Sequence, residues 1–210
     1  MSRDWRAWHA DYDADTPLAQ RLVIVQRAIA HALDASPLGL INVVSMCAGE
    51  GRDLLGVLRE HGRAGDVRAR LVELDPELAA RARAAAPATV EVVCGDASQT
   101  DMYAGAVPAN LVLVCGVFGN IADDDIQRTI GTLPSLCASD AFVVWTRHRR
   151  PPDRTVDIRR WFAEAGFTER GFTGHPDFLF GVGVQQLTRA PDDFAPGERM
   201  FEFVGYDSLS

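Results

Sequence analysis

The spacing of apolar residues changes near residue 40 of this 210-residue chain. Before that point, apolar residues recur every three or four positions after Thr16-Pro17, a pattern typical of an amphipathic helix with proline in its first turn. This helix is predicted to end near Leu33, and Arg21 lies off its apolar stripe, which predicts a solvated side chain. After residue 40, short apolar runs alternate with helical stretches, which predicts parallel strands joined by right-handed crossovers.

Each predicted strand is a run of mostly apolar residues that is bounded by glycine, proline or charged residues. They cover residues 40–46, 67–73, 90–94, 111–115, 141–146, 168–172 and 181–187. Helices are predicted between them at 52–60, 77–86, 123–137 and 156–165. The pattern therefore predicts one α/β structural domain, with a helical lid or cap over residues 1–36 and the sheet over residues 37–210.

The first of these strands enters a turn of small residues, and a helix led by arginine and aspartate follows. Gly49 and Gly51 remove Cβ atoms where a ligand approaches the backbone, and the helix N-terminus supplies free N–H donors with a partial positive charge. In an open α/β sheet, a nucleotide-like cofactor binds at this first turn.

The spacing of the glycines argues against two common occupants of such a turn. A dinucleotide fingerprint needs a small residue at its third glycine position, which is Leu54 here, so NAD and FAD fit poorly. A Walker-type phosphate loop needs a Gly-Lys pair, and the chain contains no lysine.

Acidic or small residues also follow the next three predicted strands. Glu73 ends the second strand about 20 residues after the turn, where a carboxylate accepts hydrogen bonds from a ribose diol. Asp96 follows the third strand and suits the exocyclic amine of adenine, and Cys115-Gly116 follows the fourth. Because the carboxyl ends of parallel strands meet at one edge of the sheet, these residues are predicted to line one crevice.

The segments CAGEGRD, ELDPELAARAR, CGDAS and LVLVCGVFGN together resemble the class I S-adenosylmethionine-dependent methyltransferases, over about residues 40–144. The resemblance implies a Rossmann-like, doubly wound α/β fold with a mostly parallel seven-stranded sheet whose last strand is antiparallel. It also implies S-adenosylmethionine as the cofactor and S-adenosylhomocysteine as the product. The cofactor-binding residues that it implies are Cys47, Ala48, Gly49, Glu50, Gly51, Glu73, Leu74, Asp96, Ala97, Cys115, Gly116 and Val117.

The resemblance assigns a group of residues to each part of the cofactor. Residues 47–51 would line the methionine moiety, and residues 115–117 would face the sulfonium side. Glu73 would hold the ribose hydroxyls and Leu74 would pack on adenine. Residues 96–97 would meet the edge of the adenine ring.

Two positions depart from the family pattern. Ser45 stands where the family usually has an acidic residue at the end of the first strand, and Cys47 stands where it often has glycine. The serine removes a carboxylate that would help to orient the ammonium group of the ligand. Because of this departure, a protein that binds the cofactor without rapid turnover remains an alternative.

The acceptor side is predicted after the fourth and fifth strands. Of the N/D-P-P-Y/F motif of nucleobase and glutamine methylases, only the aromatic Phe118 remains, which disfavours those substrates. Six arginines lie between Arg147 and Arg160. We predict that Trp145, Arg147 and Arg149 contact the substrate, because guanidinium groups bind carboxylates and phosphates. An arginine-rich surface that is solvated or paired with acids is the alternative.

Three side chains are candidates for a general base. His148 follows the fifth strand near the predicted crevice and titrates near neutral pH. His9 and Tyr12 lie in the predicted N-terminal lid, which would close over the cofactor and reach the acceptor.

Composition narrows the possible partners. A net charge of −8 disfavours a protein whose main partner is a nucleic-acid backbone. No apolar run approaches the roughly 20 residues of a membrane helix, and the polar N-terminus is unlike a secretory signal. The cysteines form no CxxC pair and the histidines no HxxxH or HxH spacing, so no metal site is predicted.

The function predicted from the sequence is a cytoplasmic methyltransferase that acts on an O-, N- or C-nucleophile of a small-molecule acceptor. Two alternatives stay open. One is a methyltransferase of RNA or protein, which a continuous basic surface would favour. The other is a non-catalytic protein of the same fold that binds the cofactor.

Overall fold

The computed structural model describes residues 16–175 and 179–204. The helices are α1 (Pro17–Ala35), α2 (Arg52–Leu58), α3 (Pro76–Ala85), α4 (Asp123–Leu136) and α5 (Thr155–Glu164). The strands are β1 (Ile41–Met46), β2 (Val67–Glu73), β3 (Val90–Cys94), β4 (Ala109–Val114), β5 (Cys137–His148), β6 (Phe167–His175) and β7 (Phe180–Leu187). Short 3₁₀ turns lie at Ala64–Asp66 and Thr100–Tyr103.

The seven strands form one sheet in the order β3-β2-β1-β4-β5-β7-β6. The strands from β3 to β5 pair in parallel, and β7 pairs antiparallel with both β5 and β6. This arrangement confirms the predicted fold class, including the antiparallel last strand. In the register, Ser45 of β1 lies between Leu71 of β2 and Leu113 of β4, so the ends of these three strands share one edge.

Helices cover both faces of the sheet, which buries the strands on both sides. On one face, α1, α2 and α3 pack with residues such as Ile29 and Leu54. On the other face, α4 and α5 pack over an aromatic cluster in which Trp145 of β5 stacks on Phe162 of α5, with ring centroids 5.9 Å apart. Burial on both faces explains why the central strands β1 and β4 are mostly apolar runs without alternation.

Helix α1 is held at both ends. Thr16 caps its N-terminus by accepting a hydrogen bond from the N–H of Ala19 at 3.2 Å. At the other end, the guanidinium of Arg63 donates to the carbonyls of Leu33 and Ser36, each at 2.7 Å. These bonds satisfy carbonyl groups that a helix end leaves without intrahelical partners. The helix is therefore a fixed layer of the domain over its described length.

Two segments differ from the sequence prediction. Strand β5 begins at Cys137, four residues before the predicted start, because its pairing with β4 shifts register around Asp140, whose φ is 60°. Residues 201–204, whose alternating apolar and polar pattern is that of a short strand, form part of a strap instead. Its neighbours are the loops after β3 and β4, and it makes only isolated bridges, such as that between Phe203 and Ile121.

The C-terminal strap, residues 197–204, crosses the edge of the sheet where the parallel strands end. The N–H of Met200 donates to the Ser98 carbonyl at 2.8 Å, and the N–H of Val204 donates to the Asn120 carbonyl at 3.1 Å. Met200 and its neighbour Phe201 are buried in the core. The strap therefore ties the loop after β3 to the loop after β4. Across the described residues, no helix combines the length and apolar character that crossing a bilayer requires.

Candidate cofactor site

The turn between β1 and α2 has a left-handed backbone at three positions. The φ angles are 51° at Cys47, 58° at Gly49 and 71° at Gly51. Gly51 is the N-cap of α2, and a Cβ at this position would lie 2.6 Å from Cδ2 of Leu71. Glycine is therefore required there by both backbone and packing, whereas Cys47 holds a conformation that L side chains rarely adopt.

Glu73 ties the end of β2 to this turn. Its Oε2 accepts the N–H of Gly49 at 2.7 Å, and its Oε1 accepts the N–H of Asp75 at 2.8 Å. The residue is only 9% exposed, so these bonds fix the carboxylate in place. Each oxygen keeps a second lone pair, so the group still has acceptor capacity for two hydroxyl donors, as a ribose diol requires.

The residues after β2 and β3 offer an apolar surface beside a carboxylate. Leu74 is 64% exposed, which is unusual for a residue that follows a buried strand. Asp96 is held by the N–H of Ser98 at 3.0 Å and lies 3.5 Å from the Arg199 guanidinium of the strap. The side chain of Ala97 is buried in the core, so its predicted contact with the edge of adenine would have to use the backbone.

The turn after β4 is rigid and only partly open. The N–H of Gly116 donates to the Thr146 hydroxyl at 2.9 Å, and the side-chain amide of Asn120 donates to the Gly116 carbonyl at 2.6 Å. Cys115 and Gly116 are half-buried. The side chain of Val117 is fully buried in the core, and its predicted place on the sulfonium side stays a prediction.

The two thiols at the ends of β1 and β4 stay neutral. Burial raises the pKa of Cys47 well above its usual range, and the charges of Glu73 and Asp96 add to this. Burial also raises the pKa of Cys115, helped by the charge of Asp53. Since a thiolate is the nucleophilic form of cysteine, neither residue is activated as a nucleophile.

The predicted position of Glu50 needs correction in one respect. Its carboxylate is bound to Arg52 at 2.7 Å and to Arg81 at 2.9 Å. The side chain lines a groove of about 420 Å³ between α1, α2 and α3, together with residues such as Gln26. Glu50 therefore braces the turn against the helices through its side chain, and only its backbone belongs to the turn itself.

Sequence reasoning missed Arg21 and Asp53. Arg21 is half-buried, where a solvated side chain was predicted, and its charge influences both Asp53 and Cys115. Its position four and eight residues before Val25 and Ile29, which are both buried, places it on the inward face of α1. Counting back from these two residues would have found it.

On the acceptor side, two of the predicted substrate residues face inward. Trp145 is fully buried against Phe162, so its predicted contact with the substrate has no support in this structure. Arg147 is 6% exposed, and its guanidinium donates to the Phe118 carbonyl. Arg147 therefore supports the loop after β4, and its predicted contact with the substrate stays a prediction.

Most of the other arginines of this run are bound to acids. Arg149 pairs with Asp153 at 2.9 Å, Arg154 with Asp123 at 2.8 Å, and Arg159 with a carboxylate of β6 at 2.6 Å. Burial alone would raise the pKa of Asp153, but hydrogen bonds from a neighbouring threonine and from Arg149 hold it below its usual range. The run is thus largely a paired surface, which was the alternative reading.

Of the three candidate bases, one lies in the described residues. His148 ends β5 and is half-buried, and its Cδ2 lies 3.4 Å from the point that a Cβ on Gly119 would occupy. The ring therefore adjoins the loop after β4, at the edge that the cofactor residues share. His9 and Tyr12, with the rest of the predicted lid before residue 16, lie outside the described residues.

By sequence, neither a protein-family model nor a curated protein matches this chain. Solved structures match it by fold. N-methyltransferase NodS from Bradyrhizobium japonicum WM9, in complex with S-adenosyl-L-homocysteine, aligns at a TM-score of 0.64 and 17% identity, over 90% of this chain and 94% of that one. Magnesium protoporphyrin IX methyltransferase (ChlM) from Synechocystis PCC 6803, also with bound S-adenosylhomocysteine, aligns at 0.67 and 13%, over 89% and 95%.

A third match is a chain of the complex between the Haloferax volcanii Trm112 methyltransferase activator and a methyltransferase. It aligns at a TM-score of 0.59 and 14% identity, over 90% of this chain and 100% of that one. These identities are low, so the comparison concerns the fold. The chain has the fold of the class I S-adenosylmethionine-dependent methyltransferases.

Proposed function

We propose that this protein is an S-adenosylmethionine-dependent methyltransferase that acts on a small-molecule acceptor. The observation that carries the proposal is the Glu73 carboxylate, which is buried, fixed by two backbone N–H groups and joined directly to the glycine turn. Leu74 and Asp96 stand beside it at the same edge of the sheet, with an apolar surface and an acceptor. This set fits the ribose and adenine of an adenosyl group.

The bound cofactor supplies a methyl group on a positively charged sulfur, which is already activated for displacement. The protein's task is to hold donor and acceptor in line and to exclude water. Glu73, Leu74 and Asp96 hold the adenosyl part. His148 stands at the open end of β5 and accepts a proton from an acceptor hydroxyl or amine that must lose one.

Two features favour a small molecule over RNA or protein as the acceptor. The chain is acidic overall, with a net charge of −8. Most of the arginines after β5 are neutralised by acids, so this run is not a continuous basic surface. In addition, the fold neighbour ChlM is named for a porphyrin substrate.

Calorimetric titration with S-adenosylmethionine, S-adenosylhomocysteine and NAD tests the cofactor assignment. We expect micromolar binding of both sulfur ligands and none of NAD. Binding of NAD, or no binding of either sulfur ligand, would refute the cofactor assignment.

The acceptor class is tested with S-adenosylmethionine that carries a labelled methyl group. The protein is incubated separately with small-molecule, RNA and protein fractions of one cell extract. We expect label in the small-molecule fraction. Label in RNA or protein supports the corresponding alternative, and cofactor binding without transfer in any fraction supports a non-catalytic protein.

A further inference from the structure

Helices α1 and α2 lie side by side in a fixed register. The side-chain amide of Gln26 in α1 donates to the Arg52 carbonyl at the start of α2 at 2.9 Å. Arg63, which follows α2, reaches the last turn of α1 through the Leu33 carbonyl. Both helices therefore run in the same direction, and the first turn of α2, which follows the glycine turn, lies beside the middle of α1.

Two opposite charges lie near this contact, one on each helix. Arg21 lies just over one turn before Gln26 on α1, and Asp53 is the second residue of α2. One oxygen of Asp53 accepts the N–H of Leu54 at 2.7 Å. Arg21 shares the inward face of α1 with Val25, which packs in the same cluster as Leu54, the residue after Asp53. Burial raises the pKa of Asp53 and the charge of Arg21 opposes this increase, in agreement with that packing.

Both charges also reach the end of β4. The carboxylate of Asp53 raises the pKa of the Cys115 thiol and the guanidinium of Arg21 lowers it, in addition to the larger effect of burial. Cys115 directly follows β4, the neighbour of β1 in the sheet. Arg21 and Asp53 therefore act on the crevice between the ends of these two strands, beside the glycine turn.

The neighbouring residue Arg52 serves a different purpose. Consecutive helical residues point about 100° apart, so Arg52 and Asp53 face different surroundings. Arg52 pairs with Glu50 and lines the outer groove between α1 and α3. Asp53 instead supplies a carboxylate near the end of β1, where Ser45 leaves none.

An ammonium and a carboxylate on the same carbon need one acid and one guanidinium within reach of each other. We propose that Asp53 binds the α-ammonium and Arg21 the α-carboxylate of the methionine end of the cofactor, so that Asp53 replaces the acid that Ser45 lacks. This inference rests on the proposed function. It assigns the amino-acid end to the two helices, whereas Glu73 and Asp96 serve the adenosyl end.

The test compares S-adenosylhomocysteine with 5′-methylthioadenosine, which keeps the adenosyl group but has no amino-acid end. For Arg21→Met and Asp53→Asn, we expect affinity for S-adenosylhomocysteine to fall about 10-fold to 100-fold, since hydrogen bonds to charged groups are lost. Affinity for 5′-methylthioadenosine should stay within about twofold. Arg27→Met, an exposed arginine of α1, and Glu60→Gln, an exposed acid after α2, are the matched controls.

A second measurement changes the ligand and leaves the protein intact, so it does not depend on the folding of any variant. The wild-type protein is titrated with an analogue of S-adenosylhomocysteine that lacks the carboxylate and with one that lacks the amine. Each should bind about 10-fold to 100-fold more weakly than the parent ligand. Removal of the ligand carboxylate should cost no further affinity in Arg21→Met, because its partner is already gone.

Three results would overturn the proposal. The first is undiminished binding of S-adenosylhomocysteine by both variants. The second is an equal loss of both ligands in folded variants, which would mean that the pair only supports the helices. The third is equal affinity of the wild-type protein for the parent ligand and its two analogues. If the wild-type protein binds neither S-adenosylhomocysteine nor 5′-methylthioadenosine, the proposed function itself fails.

Discussion

The carboxylate of Glu73 accepts the backbone N–H of Gly49 at 2.7 Å and so joins the end of β2 to the glycine turn after β1. Its other oxygen accepts the N–H of Asp75. In the proposed function, the same carboxylate also binds the ribose hydroxyls of the cofactor. Glu73 thus has a structural role, measured by the free energy of unfolding, and a binding role, measured by ligand affinity.

For the binding role, we expect Glu73→Ala to weaken S-adenosylhomocysteine binding by about 1–3 kcal/mol, because charge-assisted hydrogen bonds to the ribose are lost. Titration calorimetry on the folded variant measures this. Glu91→Ala is the control, since Glu91 is an exposed acid of β3 that pairs with Arg70 away from the crevice. Unchanged affinity in folded Glu73→Ala would remove this residue from the site.

For the structural role, Glu73→Gln is the informative change. A glutamine has one acceptor oxygen, whereas the glutamate satisfies two backbone N–H groups, so one N–H would face the NH₂ group. We expect the free energy of unfolding to fall by about 1–3 kcal/mol, the cost of an unsatisfied buried donor. Urea unfolding of the ligand-free protein measures it, and stability equal to the wild type would mean that solvent satisfies one of the N–H groups.

Gly51→Ala tests the geometry of the glycine turn. The new Cβ would lie 2.6 Å from Leu71 at a φ of 71°, so strain and overpacking act together. We expect a loss of about 2–4 kcal/mol in the free energy of unfolding. Gly62→Ala is the matched control, because a Cβ at Gly62 meets no atom within 4 Å. The prediction fails if the two variants are equally stable.

The fold could be predicted largely from the sequence because its signals are local. The bounds of β2 and β3 were predicted to the residue, and the glycine turn to its two glycines. Buried parallel strands produce apolar runs, and the residues between them mark the turns. Glu73 was found in this way, because a lone acid at the end of an apolar run is visible without any knowledge of the tertiary structure.

The acceptor side was predicted less well because its features depend on orientation. Trp145 and Arg147 are two residues apart on β5 and so share one face of the sheet. Once Trp145 packs inward, Arg147 must follow, and its charge is then satisfied by the Phe118 carbonyl. The strap was missed for a different reason. Its contacts, such as that of Met200 with Ser98, join residues far apart in sequence, so no local sequence pattern predicts them.

Arg63 provides a test of how α1 is anchored. Its guanidinium donates to carbonyls at the end of α1, including those of Leu33 and Ser36, and also pairs with Asp66 at 3.0 Å. We expect Arg63→Ala to lower the free energy of unfolding by about 2–3 kcal/mol, because several partly buried acceptors lose their donor. Arg68→Ala, an exposed arginine of β2, should change it by less than about 0.5 kcal/mol. Equal effects in urea unfolding would contradict this anchoring.

The buried thiols make stability depend on pH in the alkaline range. Burial raises the pKa of Cys137 from 9.0 to about 12, and it raises those of Cys47 and Cys115 as well. Above pH 9 the unfolded chain releases these protons, whereas the folded chain keeps them. The unfolded state then binds fewer protons, so the free energy of unfolding falls as pH rises. Below pH 9 this contribution to stability is fully present.

The buried Cys137 thiol should therefore remove about 1.4 kcal/mol of stability per pH unit between pH 9 and its folded pKa. Urea unfolding at about pH 8, 9 and 10 measures the slope. Cys137→Ala lowers stability at every pH because it leaves a cavity, but its slope above pH 9 should be shallower than that of the wild type, since one titrating group is gone. Parallel slopes in the two proteins would mean that Cys137 ionises in the folded state as readily as in the unfolded chain, and burial would then not protect it.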